Sequence, residues 1–110
     1  MRDNMQNNNL YSYTKAKVES LTKNLLVIKR DGRVVKFDAE KIYNAIEKAV
    51  HSVFGKNHSV NINGIVDNVI LEIANRFKEN IKIYELQNIV EHTLLTLGEE
   101  AIYEEYVGYR

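Results

Sequence analysis

The first feature in the chain's pattern is a pair of short β-prone runs separated by a turn signal. The runs cover residues 25–30 and 33–37, and Asp31-Gly32 stands between them. A two-residue Asp-Gly connection is typical of a β-hairpin with a type I′ turn. Two short strands are marginally stable alone, so the hairpin is expected to lie on the remainder of the protein.

After the hairpin, the apolar positions of the chain follow a helical periodicity. Asp38 is a good N-cap, and the apolar residues that follow it recur at i, i+3, i+4 and i+7 up to a helix-stopping Gly55. Three further stripes of this kind come later in the chain. Together they predict helices over residues 39–54, 61–78 (or 63–78), 84–97 and 99–110. The predicted class is therefore α+β and mostly helical, with a short β-hairpin lid packed on a four-helix bundle.

The two ends of the chain differ from this pattern. Residues 1–24 are polar and rich in Asn, and such a segment cannot offset its ordering entropy by burial. We therefore expect a flexible leader over residues 1–24 and one domain over residues 25–110. The helical pattern still continues at the last residue, which suggests an N-terminal piece of a longer protein.

Composition excludes several classes of function. The 15 basic and 15 acidic residues cancel, which argues against bulk electrostatic binding to nucleic acid or to a membrane surface. There is no Cys for disulfides, thiolate zinc sites or thiol nucleophiles, and the five glycines do not stand at the fixed offsets that a Walker or Rossmann loop requires. With no long apolar run and no signal peptide, the expected location is cytoplasmic.

Charge is nevertheless distributed unevenly. Residues 15–41 hold eight basic side chains against four acidic ones, whereas residues 83–109 hold six Glu and no Lys or Arg. Lys29, Arg30 and Lys41 would converge if the first strand packs over the start of the first helix, and three cations around one hollow suit a polyphosphate. On charge alone, a solvated basic surface is the more common arrangement.

No pattern indicates a catalytic or metal site. His51, His58 and His92 lack metal-ligand spacing, and no nucleophile motif occurs. Neighbouring glutamates near residue 100 do not face one another on a helix, which favours a solvated acidic face. We therefore predict neither catalytic nor metal-binding residues.

A known family shares the opening motif. The pattern that carries the resemblance is V-I-K-R-D-G at residues 27–32 followed by Phe37, Lys41-Ile42, Ala45-Ile46 and Ala49. This pattern resembles the start of an ATP-cone domain. The resemblance covers residues 25–110, including the order of elements and the closing Tyr109-Arg110.

The resemblance implies a regulatory function. ATP-cones occur mostly at the N-terminus of ribonucleotide reductase catalytic subunits, and also in a repressor of reductase genes that carries a zinc ribbon. They bind ATP or dATP, here expected with Mg²⁺, and the nucleotide sets the activity and oligomeric state of the parent. Because this chain has no Cys for a zinc ribbon, a reductase parent is expected, of the anaerobic or the aerobic class. The domain itself would be no enzyme, and its partners would be the rest of the reductase and a homo-oligomer or second subunit.

The resemblance also implies roles for individual residues. It places Val27 by the adenine, Lys29 and Arg30 by the phosphates, Lys41 by phosphate or ribose, Ile42 against the base and Asp38 near the base edge. Some family members carry Thr and His at the start of the third helix, where this chain has Ile83 and Gln87. The choice between ATP and dATP therefore stays open.

A second hypothesis comes from a different class of protein. The basic hairpin could serve a small adaptor that binds a protein or a nucleic acid. Saturable binding of a mononucleotide favours the regulatory domain, whereas oligonucleotide binding with a steep salt dependence favours the adaptor.

Overall fold

A computed structural model describes residues 20–109 of the chain, arranged as four helices and a small sheet. The elements are β1 (Leu26–Ile28), β2 (Val34–Lys36), α1 (Ala39–Phe54), α2 (Ile62–Arg76), β3 (Asn80–Lys82), α3 (Ile83–Thr96) and α4 (Glu100–Tyr109). The predicted class, a hairpin on four helices in a mostly helical α+β domain, is confirmed. Most of the predicted leader lies outside the described residues.

The helices begin and end close to the predicted positions because their caps are local. The Asp38 side chain accepts from the backbone N–H of Glu40 at 3.0 Å and starts α1. The Asn61 side chain starts α2 in the same way, through the N–H of Gly64. The third helix has a cap that the pattern did not reveal: the Glu85 side chain accepts from the N–H of Lys82 at 2.9 Å.

The hairpin turn differs from the predicted two-residue type I′ turn. The N–H of Lys29 donates to the carbonyl of Arg33, and the N–H of Gly32 donates to the carbonyl of Lys29. The loop therefore has three residues, and within residues 20–109 positive φ occurs only at glycines, here at Gly32 (φ +89°). This combination matches a type I turn closed by one left-handed glycine, which avoids a left-handed conformation at Asp31.

A third strand, which the sequence pattern did not predict, holds the hairpin on the bundle. β3 pairs in parallel with β1, giving the strand order β2-β1-β3 and placing Val27 opposite both Val35 and Ile81. The Ile81 side chain is fully buried. The central β1 is thus bonded on both sides, and β3 leads directly into α3.

The four helices form a closed ring around one apolar core. α1 packs against α2 and α4, and α3 packs against the same two helices. Fully buried side chains from all four helices meet at the centre: Ile46, Val50, Val66, Val69, Ile70, Ile73, Leu94 and Ile102. Among the described residues, no helix combines the length and the apolar character that crossing a bilayer requires.

The cap of α1 gives a first testable consequence. We expect Asp38→Ala to lower the free energy of unfolding by about 1 kcal/mol, because the Glu40 N–H loses its acceptor. Chemical denaturation measures this change. Asp38→Ser is the matched control, since serine also caps helices, and it should restore most of the loss. Equal destabilisation by both variants would contradict the role of the cap.

Candidate functional site

An open cleft lies between the hairpin and the bundle. Its cavity volume is about 160 Å³. It is lined by Val27 of β1, Val35 and Lys36 of β2, Lys41, Ile42 and Ala45 of α1, Ile83, Leu86 and Gln87 of α3, Tyr106 of α4, and the connecting residues Lys29, Phe37 and Asp38. The first turns of both α1 and α3 therefore border the same space.

The lining of the cleft combines apolar and cationic groups. Its apolar side chains come from the sheet and from the inward stripes of three helices, with Val27, Ile42 and Leu86 buried. Its cations are Lys29 and two further lysines on β2 and α1. Such a mixture suits a ligand with a flat apolar part and an anionic part.

Five of the six predicted site residues line this cleft. They are Val27, Lys29, Asp38, Lys41 and Ile42. The sixth, Arg30, lies at the exposed tip of the hairpin, where its Nη2 donates to Gln87 Oε1 at 2.9 Å. Since Gln87 is part of the cleft wall, Arg30 is connected to the cleft through that amide.

The second arginine of the hairpin tip is held differently. The Asp31 carboxylate accepts from the Arg33 backbone N–H at 3.1 Å and from Arg33 Nε at 2.8 Å. These bonds lower the pKa of Asp31 below its ordinary value of 3.8. Any contribution of this pair to stability is therefore complete above pH 3.8 and is lost as the pH falls through the lowered value. The pair neutralises Arg33 within the turn.

The sequence pattern did not identify some of the residues that line the cleft. Tyr106 lies on α4, and its side chain is buried and also lines the cleft. Phe37 and Ala45 belong to the opening motif without an assigned role, and Leu86 belongs to the inward-facing stripe of α3. Periodicity shows that such residues face inward and cannot show which of them border an opening.

The described residues contain no group of three or more His, Asp or Glu side chains arranged to hold a metal ion. His51 and His58 form a tilted pair with ring centroids 5.4 Å apart. The backbone N–H of Val60 donates to His58 Nδ1 at 3.1 Å. This contact ties His58 to the segment that leads into α2.

Comparison with known families identifies the class of protein that this fold and cleft define. Residues 25–110 match the ATP cone domain. The chain therefore belongs to the ATP-cone family, and the resemblance noted from its opening motif is confirmed over the full length of that match.

Similar proteins of known identity are ribonucleotide reductases. The chain is 32% identical to a ribonucleoside-diphosphate reductase subunit alpha of Chlamydia trachomatis, over 78% of this chain and 9% of that protein. It is 34% identical to the anaerobic ribonucleoside-triphosphate reductase of Haemophilus influenzae, over 79% of this chain and 12% of that protein. A vitamin B12-dependent ribonucleoside-diphosphate reductase of Thermoplasma acidophilum is 39% identical over 64% of this chain and 9% of that protein.

The chain thus spans about a tenth of the length of the relatives it matches. The family and these relatives together support a nucleotide-binding regulatory domain.

Proposed function

We propose that this chain is a regulatory domain that binds ATP or dATP, with Mg²⁺, in the cleft between hairpin and bundle. Through the bound nucleotide it would control the activity and oligomeric state of a cytoplasmic ribonucleotide reductase of which it forms the N-terminal part. The observation that carries the proposal is the cleft itself, because five of the six residues expected from the opening motif line it.

The base is proposed to occupy the apolar interior of the cleft. Val27 would lie by the adenine and Ile42 against its face, both of them buried side chains of the lining. A volume of about 160 Å³ is below the roughly 300–1,000 Å³ of common small-molecule sites. It therefore suits the base and part of the sugar, with the phosphates outside at the mouth.

The phosphates are proposed to meet the cations at the mouth. Lys29 and Arg30 would bind them, and Lys41 would bind phosphate or ribose. Two helix N-termini, of α1 and α3, border the cleft, and their dipoles favour an anionic ligand. Asp38 Oδ1 already caps α1, so a contact of this residue with the base edge would use Oδ2.

Regulation is proposed to work by population shift. ATP and dATP differ only by the 2′-hydroxyl, so each must favour a different packing of this domain against the rest of the reductase or a second subunit. A differential affinity of about 1–3 kcal/mol is typical of such coupling. The domain carries out no reaction itself in this scheme.

Calorimetric titration of the whole chain tests the proposal. ATP and dATP, each with and without Mg²⁺, should bind saturably and compete for one site. The comparison ligand is a single-stranded oligonucleotide at several salt concentrations. Absence of nucleotide binding, together with oligonucleotide binding that weakens steeply with salt, would instead support the adaptor with a basic hairpin.

A further inference from the structure

We infer that Gln87 is a positioning residue, which holds the Arg30 guanidinium at the mouth of the cleft so that it is already placed for a phosphate. This inference rests on the proposed nucleotide site. Gln87 would act on the nucleotide through Arg30 and not through a contact of its own with the ligand.

The geometry that supports the inference is a bond across the mouth of the cleft. Arg30 occupies the exposed three-residue loop of the hairpin, and Gln87 occupies the second turn of α3, 57 residues later. Arg30 Nη2 donates to Gln87 Oε1 at 2.9 Å. A side chain that would otherwise sample many rotamers in solvent is therefore fastened to the wall of the cleft.

The chemistry of the two partners leaves Arg30 available to an anion. A guanidinium has five N–H donors, and one bond to an amide oxygen uses only one of them. The amide is also uncharged, so Arg30 keeps its full positive charge. Arg33, three residues later, contrasts with it because the Asp31 carboxylate cancels its charge. Of the two arginines, Arg30 is the one arranged for phosphate binding.

The expected effect of this positioning is moderate. Immobilising a long side chain on binding costs about 0.5–1.5 kcal/mol, and a residue ordered beforehand avoids part of this cost. We expect Gln87→Ala to weaken nucleotide binding by about 2- to 10-fold. Thermal unfolding should change little, because the hydrogen bond is exposed.

A double-mutant cycle separates positioning from direct contact. Nucleotide affinity is measured for the whole chain, Arg30→Ala, Gln87→Ala and the double variant. If Gln87 acts through Arg30, the double variant binds as Arg30→Ala does, because nothing remains to be positioned. Additive losses would overturn the inference, since Gln87 would then contribute without Arg30.

Two further variants sharpen the cycle. Gln87→Glu keeps an acceptor for Arg30, but its carboxylate cancels the positive charge of Arg30. This variant should therefore bind nucleotide more weakly than Gln87→Ala. Asn88→Ala is the matched control, because Asn88 is the next amide on α3 and lines a groove between α2 and α3 instead. It should leave the affinity unchanged, and a loss equal to that of Gln87→Ala would count against the inference.

Hydrogen exchange measured without ligand tests the Arg30–Gln87 contact separately from the proposed nucleotide binding. The amides of Lys29 and Gly32 close the loop, and they should exchange faster in Gln87→Ala and no faster in Gln87→Glu. If this pattern appears but neither the unaltered chain nor any variant binds nucleotide, the Arg30–Gln87 contact is supported and the proposed nucleotide site is wrong. Unchanged exchange in Gln87→Ala would overturn the positioning role even if nucleotide binds.

Discussion

The combined variant Lys29→Ala/Arg30→Ala is expected to bind ATP and dATP about 100-fold more weakly than the unaltered chain. Hydrogen bonds to charged groups contribute about 1.5–3 kcal/mol each, and 1.4 kcal/mol corresponds to a factor of ten. Lys29 is half-buried in the lining of the cleft, whereas Arg30 is exposed at its mouth. The larger share of the loss is therefore expected from Lys29.

The fold should tolerate both substitutions. The backbone bonds that close the loop involve main-chain atoms of Lys29, Gly32 and Arg33 and survive the loss of the side chains. Thermal unfolding, measured beside the calorimetric titration, would show whether the variant is folded. Hydrogen exchange would not serve here, because the amides of Lys29 and Gly32 should exchange faster once Arg30 no longer reaches Gln87.

A matched variant controls for the lost charge. Lys56→Ala/Lys78→Ala also removes two positive charges, and neither residue lines the cleft. Its nucleotide affinity should equal that of the unaltered chain. If both double variants lose affinity equally, binding follows net charge and the proposed phosphate contacts are wrong. If neither loses affinity, the nucleotide binds elsewhere.

The helices were predictable from the sequence because their signals are local. Asp38 begins α1 through a contact two residues along the chain, and Gly55 and Gly98 follow α1 and α3 with positive φ. The apolar stripes also predicted which face of each helix packs into the core. Such features depend on neighbours within one or two turns, and these are visible in a linear sequence.

The third strand depends on a partner far along the chain. Asn80–Lys82 is three residues long with one apolar residue, and so short an alternation does not distinguish it from a loop. Its pairing with β1 joins Val27 to Ile81, 54 residues apart, in parallel. No local preference encodes such a contact, and burial of Ile81 stabilises it only once the bundle has formed.

The residues of the candidate site also fall into two groups, those predicted from the sequence and those brought to the cleft only by the tertiary fold. Residues of the opening motif could be proposed because the family resemblance rests on one continuous segment that includes Val27 to Ile42. The opposite wall comes from α3 and α4, where Gln87 and Tyr106 reach the cleft only through the tertiary fold. Sequence alone therefore predicted one side of the cleft, and the structure adds the other.

A steric test is also possible, in which the cleft is filled while every charge is kept. Ala45 of α1 is half-buried and lines the cleft between hairpin and bundle. We expect Ala45→Phe to weaken ATP and dATP binding at least 100-fold, because a ring in a cavity of about 160 Å³ occupies the place proposed for the base. The loss should appear in calorimetric titration with Lys29, Arg30 and Lys41 all intact.

The matched control is Ala101→Phe, at an exposed position of α4 outside the cleft. Both variants carry the same cost in helix propensity, about 0.5 kcal/mol. Ala45→Leu, a smaller change at the same position, should give an intermediate loss and guards against misfolding by the larger ring. Thermal unfolding verifies that each variant is folded. Full affinity in a folded Ala45→Phe variant would place the base outside the cleft, because a ligand held only by the charges of the hairpin would not be affected by this ring.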